Sequence, residues 1–195
     1  MPLIRYLTHP QIVVDAAVPV PDWSLSPVGA ARVAAIADAP IWQGTRQVIS
    51  SGERKALETA GPIATCLGLP VTVRERMGEN DRSSTGFLPP DEFELMANRF
   101  FGDPDISAEG WETARDAQSR ILAEVLEVIE GPLSGDVLIV GHGGVGTLLW
   151  CALSGVPIDR AHDQGPGGGG NWFAFDAVER RPFTGWLPME QLIQG

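Results

Sequence analysis

One histidine, His142, lies in a glycine-rich turn of a kind that binds anions. The turn, residues 141–146, follows an apolar, β-branched run at residues 137–140 that is typical of a strand buried on both faces. Leucine and alanine then recur at helical spacing, so the turn joins a strand to a helix. Free backbone N–H groups and the positive end of the helix dipole favour an anion there, and open α/β sheets bind their ligands at such points.

Three interpretations of this turn compete. Its glycines fit the dinucleotide spacing G-x-G-x-x-G, but that pattern needs a further strand with an acidic residue about 20 positions on, and Asp159 falls in a polar, proline-flanked stretch instead. The P-loop interpretation fails because Thr147 follows Gly146 directly, without the phosphate-binding lysine. In the third interpretation His142 does chemistry and has partners elsewhere in the chain.

A second histidine, His9, stands at the tip of a predicted strand, residues 3–7. Pro10 has no amide donor and biases His9 away from helical conformation, so the strand ends there. A histidine at a strand end is about as often structural as functional.

A pair of cations begins a predicted helix after the strand at residues 47–50. Arg54 and Lys55 lie in its first turn, where positive charge opposes the helix dipole. Either a bound anion offsets that cost, or Glu53 and Glu58 neutralise a solvated pair. Both interpretations stay open at this point.

A strongly polar loop, residues 77–86, concentrates hydrogen-bonding side chains around Glu79 and Arg82. Loops of this size that a rigid scaffold positions are a usual place for function. A glycine-rich segment, residues 165–170, follows His162 and Gln164. It either folds over the pocket as a lid, which would bring both side chains to a substrate, or leaves His162 with a local hydrogen bond only.

Composition limits the classes of protein. The 195 residues, 44% of them hydrophobic, suit one domain spanning residues 1–195, and the net charge of −11 disfavours nucleic acid and anionic membranes. Apolar runs stay well below the roughly 20 residues of a membrane span, so we expect a cytoplasmic protein. Cys66 and Cys151 are expected to be buried thiols, with no disulfide, no metal site and no cofactor.

Strands and helices alternate along the chain, which predicts a three-layer α/β/α sandwich around a mostly parallel sheet. The predicted strands cover residues 3–7, 47–50, 71–73, 136–140 and 171–176, and the predicted helices cover residues 28–36, a segment after residue 53, 91–101 and 112–129. Because parallel strands end at one edge of the sheet, His9, the turn at residues 50–55 and His142 can meet there.

Several motifs resemble those of the histidine phosphatase superfamily, also called the phosphoglycerate mutase-like family. Residues 141–145, GHGGV, resemble its SHGGV motif, and residues 50–60, SSGERKALETA, resemble SSPLxRAxQTA. Residues 77–79 are similar to L-x-E, residues 25–29 to PLT-x-x-G, and residues 8–10, Thr-His-Pro, take the place of Arg-His-Gly. The resemblance covers nearly the whole chain.

The resemblance implies a phosphatase that hydrolyses a phosphomonoester, on a small metabolite or a phosphoprotein, through a phosphohistidine on His9. Glu79 would protonate the leaving oxygen and then activate water, and His142 would donate to a phosphoryl oxygen. Gly143 would offer its backbone to the phosphate. No metal or cofactor is implied, and the expected partner is a small phosphorylated substrate or a phosphate anion; a homodimer is a further expectation.

Two phosphate-binding arginines of the family are replaced in this chain. Thr8 stands at the first position and offers a hydroxyl without charge, and Lys55 stands at the second and lacks the bidentate fork of arginine. Arg54 and Arg82 are the candidates to restore the lost charge. The alternative function is a catalytically impaired member that acts as an anion-binding or regulatory module.

Overall fold

A mixed sheet of six strands forms the centre of the molecule. The structure is a computed structural model and describes residues 1–194. The strands are β1 (Leu3–Thr8), β2 (Thr45–Ser50), β3 (Val71–Val73), β4 (Asp136–Gly141), β5 (Asn171–Asp176) and β6 (Leu187–Pro188). Their spatial order is β3-β2-β4-β1-β5-β6; β3, β2, β4 and β1 are parallel, and β5 runs antiparallel to both β1 and β6.

Five α-helices cover the sheet: α1 (Pro27–Ile36), α2 (Arg54–Leu67), α3 (Pro90–Gly102), α4 (Ala114–Glu130) and α5 (Gly143–Ser154). Local sequence explains where two of them start. The hydroxyl of Ser26 accepts from Gly29 N at 3.1 Å, and Pro27 occupies the first helical position of α1. Thr113 caps α4 in the same way, so α4 begins two residues later than the pattern predicted.

Each face of the sheet has its own apolar core. Leu7, Val48 and Val140 point to the face that packs against α1 and α2. Tyr6 and Ile139 point to the opposite face, which packs against α3, α4 and α5. Successive strand residues alternate between the two cores, as both-sided burial requires. The predicted α/β/α sandwich with a mostly parallel sheet is therefore confirmed.

The segment after residue 176 contains β6, which pairs with β5 through Asn171 and Trp172. One expectation from the sequence was wrong: Cys66 is exposed, whereas Cys151 is buried as predicted. The buried side of α2 includes Ala60, Ile63 and Ala64, and position 66 falls outside that helical repeat.

The dinucleotide interpretation also fails. After α5 the chain does not continue to another parallel strand, because β5 is antiparallel to β1. Asp159 caps a short 3-10 helix, Arg160–His162, by accepting from Ala161 N at 2.8 Å. Among the helices that the structure describes, none is long and apolar enough to cross a membrane.

The register of the central strands determines where the functional residues meet. Thr8 of β1 lies beside Gly141 of β4, and Ser50 of β2 lies beside Val140. The residues that follow these strands therefore emerge side by side at the carboxyl edge of the sheet, where open α/β sheets bind ligands.

Candidate active site

His9 and His142 come together across the ends of β1 and β4. Their ring centroids are 5.3 Å apart and the rings are inclined at 66°. The two side chains, 133 positions apart in the sequence, thus lie within the span of one phosphoryl group. The convergence expected from parallel-strand topology is present in the structure.

The ring of His9 is set up for attack by one nitrogen. Its Nδ1 lies 2.9 Å from the carbonyl oxygen of Pro10 and donates to it, which leaves a lone pair on Nε2. Burial, followed by the neighbouring His142, lowers the pKa of His9 to about 3. The imidazole is therefore neutral at physiological pH, which is the form that a nucleophile requires.

His142 is fully buried and is fixed at three atoms. Its backbone N–H donates to the Tyr6 hydroxyl at 3.0 Å, and that hydroxyl donates to the His142 carbonyl at 3.1 Å. Its Nε2 lies 2.7 Å from Ser51 Oγ. Ser51 Oγ also accepts from Glu53 N at 3.4 Å. Nδ1 of His142 is buried and has no hydrogen-bond partner among the described residues.

Lys55 and Glu53 form a buried ion pair beside the histidines. Lys55 Nζ donates to Glu53 Oε2 and, at 2.9 Å, to the carbonyl oxygen of Val20. Glu53 Oε1 lies 3.5 Å from His142 Nε2 and accepts from Glu79 N at 2.7 Å. Burial raises the pKa of Glu53, but His142 and Lys55 lower it by more, to about 2. The site thus contains a permanent carboxylate of its own.

Glu79 reaches the start of α5. Its carboxylate accepts from the backbone N–H groups of Gly144 at 3.0 Å, Val145 at 2.9 Å and Asn80 at 3.1 Å. The helix N-terminus, which the sequence suggested for a phosphate, is thus already bound to an acidic side chain. A Cβ atom at position 144 would lie 2.7 Å from Glu79 Oε1, so a larger residue there would displace the Glu79 carboxylate from the helix start.

Arg82 is the second cation near the histidines. Its guanidinium lies 4.9 Å from the centroid of the Phe93 ring, and its Nε is buried without a partner among the described residues. Burial lowers the pKa of Arg82, while Glu79 and Glu53 act in the opposite sense. The guanidinium stays charged, since arginine keeps its proton in proteins.

A cavity of about 210 Å³ lies beside His9. Five of the predicted site residues line it: His9, Lys55, Glu79, Arg82 and Gly143. His142 is fully buried behind them and is not among its lining residues. The charged residues that line it are Lys55, Arg82 and Arg160 against Glu79 and Asp163, and Lys55 is also paired with the nearby Glu53. The cavity therefore has little net positive charge to attract a phosphate.

The structure places two of the proposed phosphate ligands elsewhere. Arg54 is exposed on α2 and pairs with Glu58 at 2.7 Å, as the solvated-pair interpretation expected. Thr8 is fully buried, and its hydroxyl contacts Gln164 Oε1 at 2.7 Å and the backbone of Asn171. Neither side chain lines the cavity among the described residues.

The glycine-rich segment, residues 165–170, lies against the loop that carries His9. Gly170 N donates to the His9 carbonyl at 2.9 Å, and Gln11 Nε2 donates to Gly167 O at 2.7 Å. Five of its residues are glycines with positive φ, which explains their number. Of its two flanking side chains, Gln164 lines the cavity, whereas His162 packs on Trp150 at 5.1 Å.

Sequence patterns missed two residues that position the site. Tyr6 looked like an ordinary strand residue. Arg120 lies on α4 and donates to the carbonyls of residues 76, 78 and 79, at 2.5, 3.1 and 3.3 Å. It thereby holds the segment that carries Glu79. A basic residue on an amphipathic helix gives no signal of such a long-range contact.

A family model supports the resemblance noted in the sequence. The model of the histidine phosphatase superfamily (branch 1) matches residues 15–169, more than half of the chain. Glu79 and His142 lie inside the matched span, and His9 lies before it.

Named proteins of similar sequence and structure are phosphatases. The chain is 27% identical over 162 residues to a glucosyl-3-phosphoglycerate phosphatase of Mycolicibacterium vanbaalenii, which covers 77% of this chain and 72% of the relative. A mycobacterial glucosyl-3-phosphoglycerate phosphatase solved with inorganic phosphate has a TM-score of 0.74 at 23% identity, covering 96% of this chain and 95% of that one. A phosphoserine phosphatase from Entamoeba histolytica, solved with 3-phosphoglyceric acid, has a TM-score of 0.78 at 17% identity, covering 98% and 100%.

Proposed function

The chain belongs to the histidine phosphatase superfamily and is a phosphomonoesterase, and we propose that it hydrolyses its substrate through a covalent phosphohistidine on His9. The observation that carries this proposal is the state of the His9 ring. Nδ1 donates to the Pro10 carbonyl, Nε2 keeps its lone pair, and the ring faces His142 at 5.3 Å.

In the first half of the reaction, His9 Nε2 forms a bond to phosphorus while the bond from phosphorus to the ester oxygen breaks. Glu79, protonated at the start of the cycle, gives its proton to the departing oxygen, so the alcohol leaves neutral. The phosphorylated ring carries a positive charge, which the Pro10 carbonyl stabilises through the Nδ1 proton.

In the second half, water attacks phosphorus and gives a proton to the Glu79 carboxylate. The bond from phosphorus to Nε2 breaks, its electron pair returns to His9, and inorganic phosphate leaves. Glu79 ends the cycle protonated, as it began. Little covalent work falls to the other side chains, so their part is positioning and charge stabilisation.

We propose that several groups hold the transferred phosphoryl group. His142 would offer Nδ1, which has no partner among the described residues, and Lys55 and Gly143 line the cavity with His9. Arg82 supplies the charge that Thr8 does not, and it takes the anchoring part proposed for an arginine. The backbone N–H groups now bound to Glu79 become available to phosphoryl oxygens when Glu79 turns to the leaving group.

Hydrolysis of p-nitrophenyl phosphate by the intact chain and by His9→Ala tests this mechanism. We expect a loss of at least 100-fold in kcat/KM for His9→Ala, because a nucleophile and its intermediate are removed. His162→Ala is the matched control, since His162 packs on Trp150 away from the cavity. Mass spectrometry of acid-quenched enzyme would detect phosphate on His9 of the intact chain.

The same assay separates the alternative. A catalytically impaired module would bind inorganic phosphate with both variants and would show equal background rates with and without His9. The buried Glu53 carboxylate beside Lys55 is the feature that favours this alternative, because it opposes a phosphate dianion. We further propose a small phosphorylated molecule as substrate; a homodimer and a cytoplasmic location stay predictions.

A further inference from the structure

A second cavity, of about 320 Å³, lies next to the catalytic one and is almost entirely apolar. Its walls come from residues 12–23, from residues 82–89 and from the first turns of α3. Its apolar lining side chains include those of Ile12, Val14, Val20, Trp23, Phe87 and Phe93. Arg82 and Glu94 are the charged residues that line it.

The two cavities share walls. Ile12, Arg82 and Phe93 line both. The guanidinium of Arg82 rests on the Phe93 ring at 4.9 Å and therefore lies where the polar cavity meets the apolar one. A molecule with an anionic head held near His9 and Arg82 would place the group attached to that head against these rings.

The polar groups of Trp23 and Glu94, which line this cavity, are already bound to other residues. Trp23 Nε1 donates to the carbonyls of Asp15 and Val18, at 2.9 and 3.0 Å, so its polar atom is satisfied within its own loop. Glu94 pairs with Arg160 at 2.6 Å. A hydroxyl-rich guest would thus find few partners for its hydrogen bonds and would lose those that it makes with water.

Two large side chains at this cavity are only partly covered. Val14 is 55% exposed and Phe87 is 36% exposed, and the Phe87 ring meets Trp23 edge-on at 6.2 Å. Both would lose water contact when an apolar group enters, which is the source of favourable free energy in such pockets.

We propose that this apolar cavity receives the leaving group, and that the preferred substrate is the phosphomonoester of a neutral aromatic or aliphatic alcohol rather than of a polyol or a sugar acid. The inference rests on the proposed function, because it takes the phosphoryl group to be bound beside His9. It differs from what the name of the mycobacterial relative implies for that protein, whose substrate carries a sugar and a carboxylate.

The test compares 2-phenylethyl phosphate with glycerol 3-phosphate. Both are esters of primary alkyl alcohols, so their intrinsic reactivity is similar and the difference lies in the bound group. Burying a phenyl-sized group favours the first substrate by about 10- to 100-fold in kcat/KM. A ratio near one, or a preference for glycerol 3-phosphate, overturns the inference while leaving the phosphatase activity intact.

Phe87→Ala ties the preference to this cavity. We expect the ratio of the two kcat/KM values to fall by about fivefold or more, because the aromatic wall is removed. Phe183→Ala is the matched control, since Phe183 is 60% exposed and lies outside both cavities. An equal fall with both variants, or no fall with Phe87→Ala, counts against the assignment.

Binding measurements with ligands that cannot be hydrolysed test the apolar site independently of catalysis. Phosphonates have no ester bond to hydrolyse, so calorimetric titration with 2-phenylethylphosphonate and with 2,3-dihydroxypropylphosphonate compares the two groups directly. Tighter binding of the phenyl compound in a protein that hydrolyses neither ester would refute the proposed function and support the apolar site. Equal affinities would refute the apolar site even in an active enzyme.

Discussion

Glu53 is the residue whose chemistry most distinguishes this site from a simple phosphate pocket. It bonds to Lys55, lies 3.5 Å from His142 and holds the Glu79 backbone, so its carboxylate sits among the groups proposed to bind phosphate. An incoming phosphoryl group must share Lys55 with it. The site should therefore bind small anions more weakly than its number of cations alone would suggest.

Replacing Glu53→Gln should therefore tighten phosphate binding. The amide keeps an oxygen for Glu79 N but removes the negative charge. Two like charges about 5 Å apart repel by about 3 kcal/mol at an effective dielectric constant of about 20, so the inhibition constant of inorganic phosphate should fall by about tenfold or more. Inhibition of p-nitrophenyl phosphate hydrolysis by inorganic phosphate measures this constant. Glu58→Gln is the control, because Glu58 pairs with Arg54 on the surface. Unchanged or weaker inhibition in the Glu53 variant would show that the carboxylate does not compete with phosphate.

Among the secondary-structure elements, α4 positions a catalytic group at a distance. Arg120 reaches from α4 to three carbonyls of the segment that ends at Glu79, and its guanidinium also pairs with Glu112 at 2.8 Å. Glu53 also holds this segment through the Glu79 backbone N–H, while the segment itself forms only a short 3-10 helix, Glu75–Met77.

We expect Arg120→Ala to lower kcat about 10- to 100-fold, because displacing a catalytic group by about 1 Å has effects of that size. Arg120→Lys should restore part of the rate. Arg115→Ala on the same helix is the control, because Arg115 is exposed and pairs with Asp105. Initial rates at saturating substrate, together with thermal unfolding of each variant, distinguish displacement of Glu79 from a loss of folded protein. A rate that falls only in proportion to unfolded protein would contradict the positioning role.

The glycine-rich segment gives an equally direct test at the scale of one loop. Gly169 has a φ of 86°, and a Cβ atom there would lie 2.2 Å from the His9 carbonyl oxygen. Gly165 has a similar φ of 82°, but a Cβ atom there would meet nothing within 4 Å. The two positions thus share the same backbone strain and differ in contact with His9.

Gly165→Ala should lower the free energy of unfolding by about 1–2 kcal/mol through left-handed strain alone. Gly169→Ala should lower the free energy of unfolding by more than this. It should also reduce activity, because the loop that carries His9 must move. Urea unfolding and kcat/KM for p-nitrophenyl phosphate measure both effects. Equal losses in the two variants would mean that the segment does not position the nucleophile.

For the molecule as a whole, the neutral histidines make stability depend on pH. Folding lowers the pKa of His9 to about 3 from an ordinary value of 6.5, and burial lowers the pKa of His142 as well. Between these values the unfolded chain binds more protons than the folded chain. The contribution of these neutral histidines to the free energy of unfolding is therefore fully present above pH 6.5 and is lost as the pH falls toward 3.

The free energy of unfolding should thus decrease below pH 6.5 by at most about 1.4 kcal/mol per pH unit for each histidine. His9→Asn should make this decrease shallower, and His162→Asn should leave it unchanged. Urea unfolding between pH 7.5 and 5 measures the slopes. Glu53, whose pKa is lowered to about 2, adds a similar loss only below about pH 4.5. Parallel slopes in all three proteins would contradict the neutral state of His9.

The layered fold and the meeting of His9 with His142 could be predicted, because strand patterns and parallel-sheet topology determine them. The pairing of Glu53 with Lys55 could not, since an acidic residue in a helix start can turn inward or outward with the same local sequence. The apolar cavity was also missed. Two of its walls, residues 12–23 and 82–89, are largely irregular and leave no periodic pattern, and only the folded chain brings them against the start of α3.

Thr8 shows how its neighbours limit what one substitution at this site can change. Its hydroxyl bonds to Gln164 and to the backbone of Asn171, and the residue is fully buried. A long cationic side chain at this position would have to displace Gln164. Thr8→Arg alone is therefore expected to disturb the packing beside His9, whereas the same change together with a shorter residue at position 164 would make room for a guanidinium.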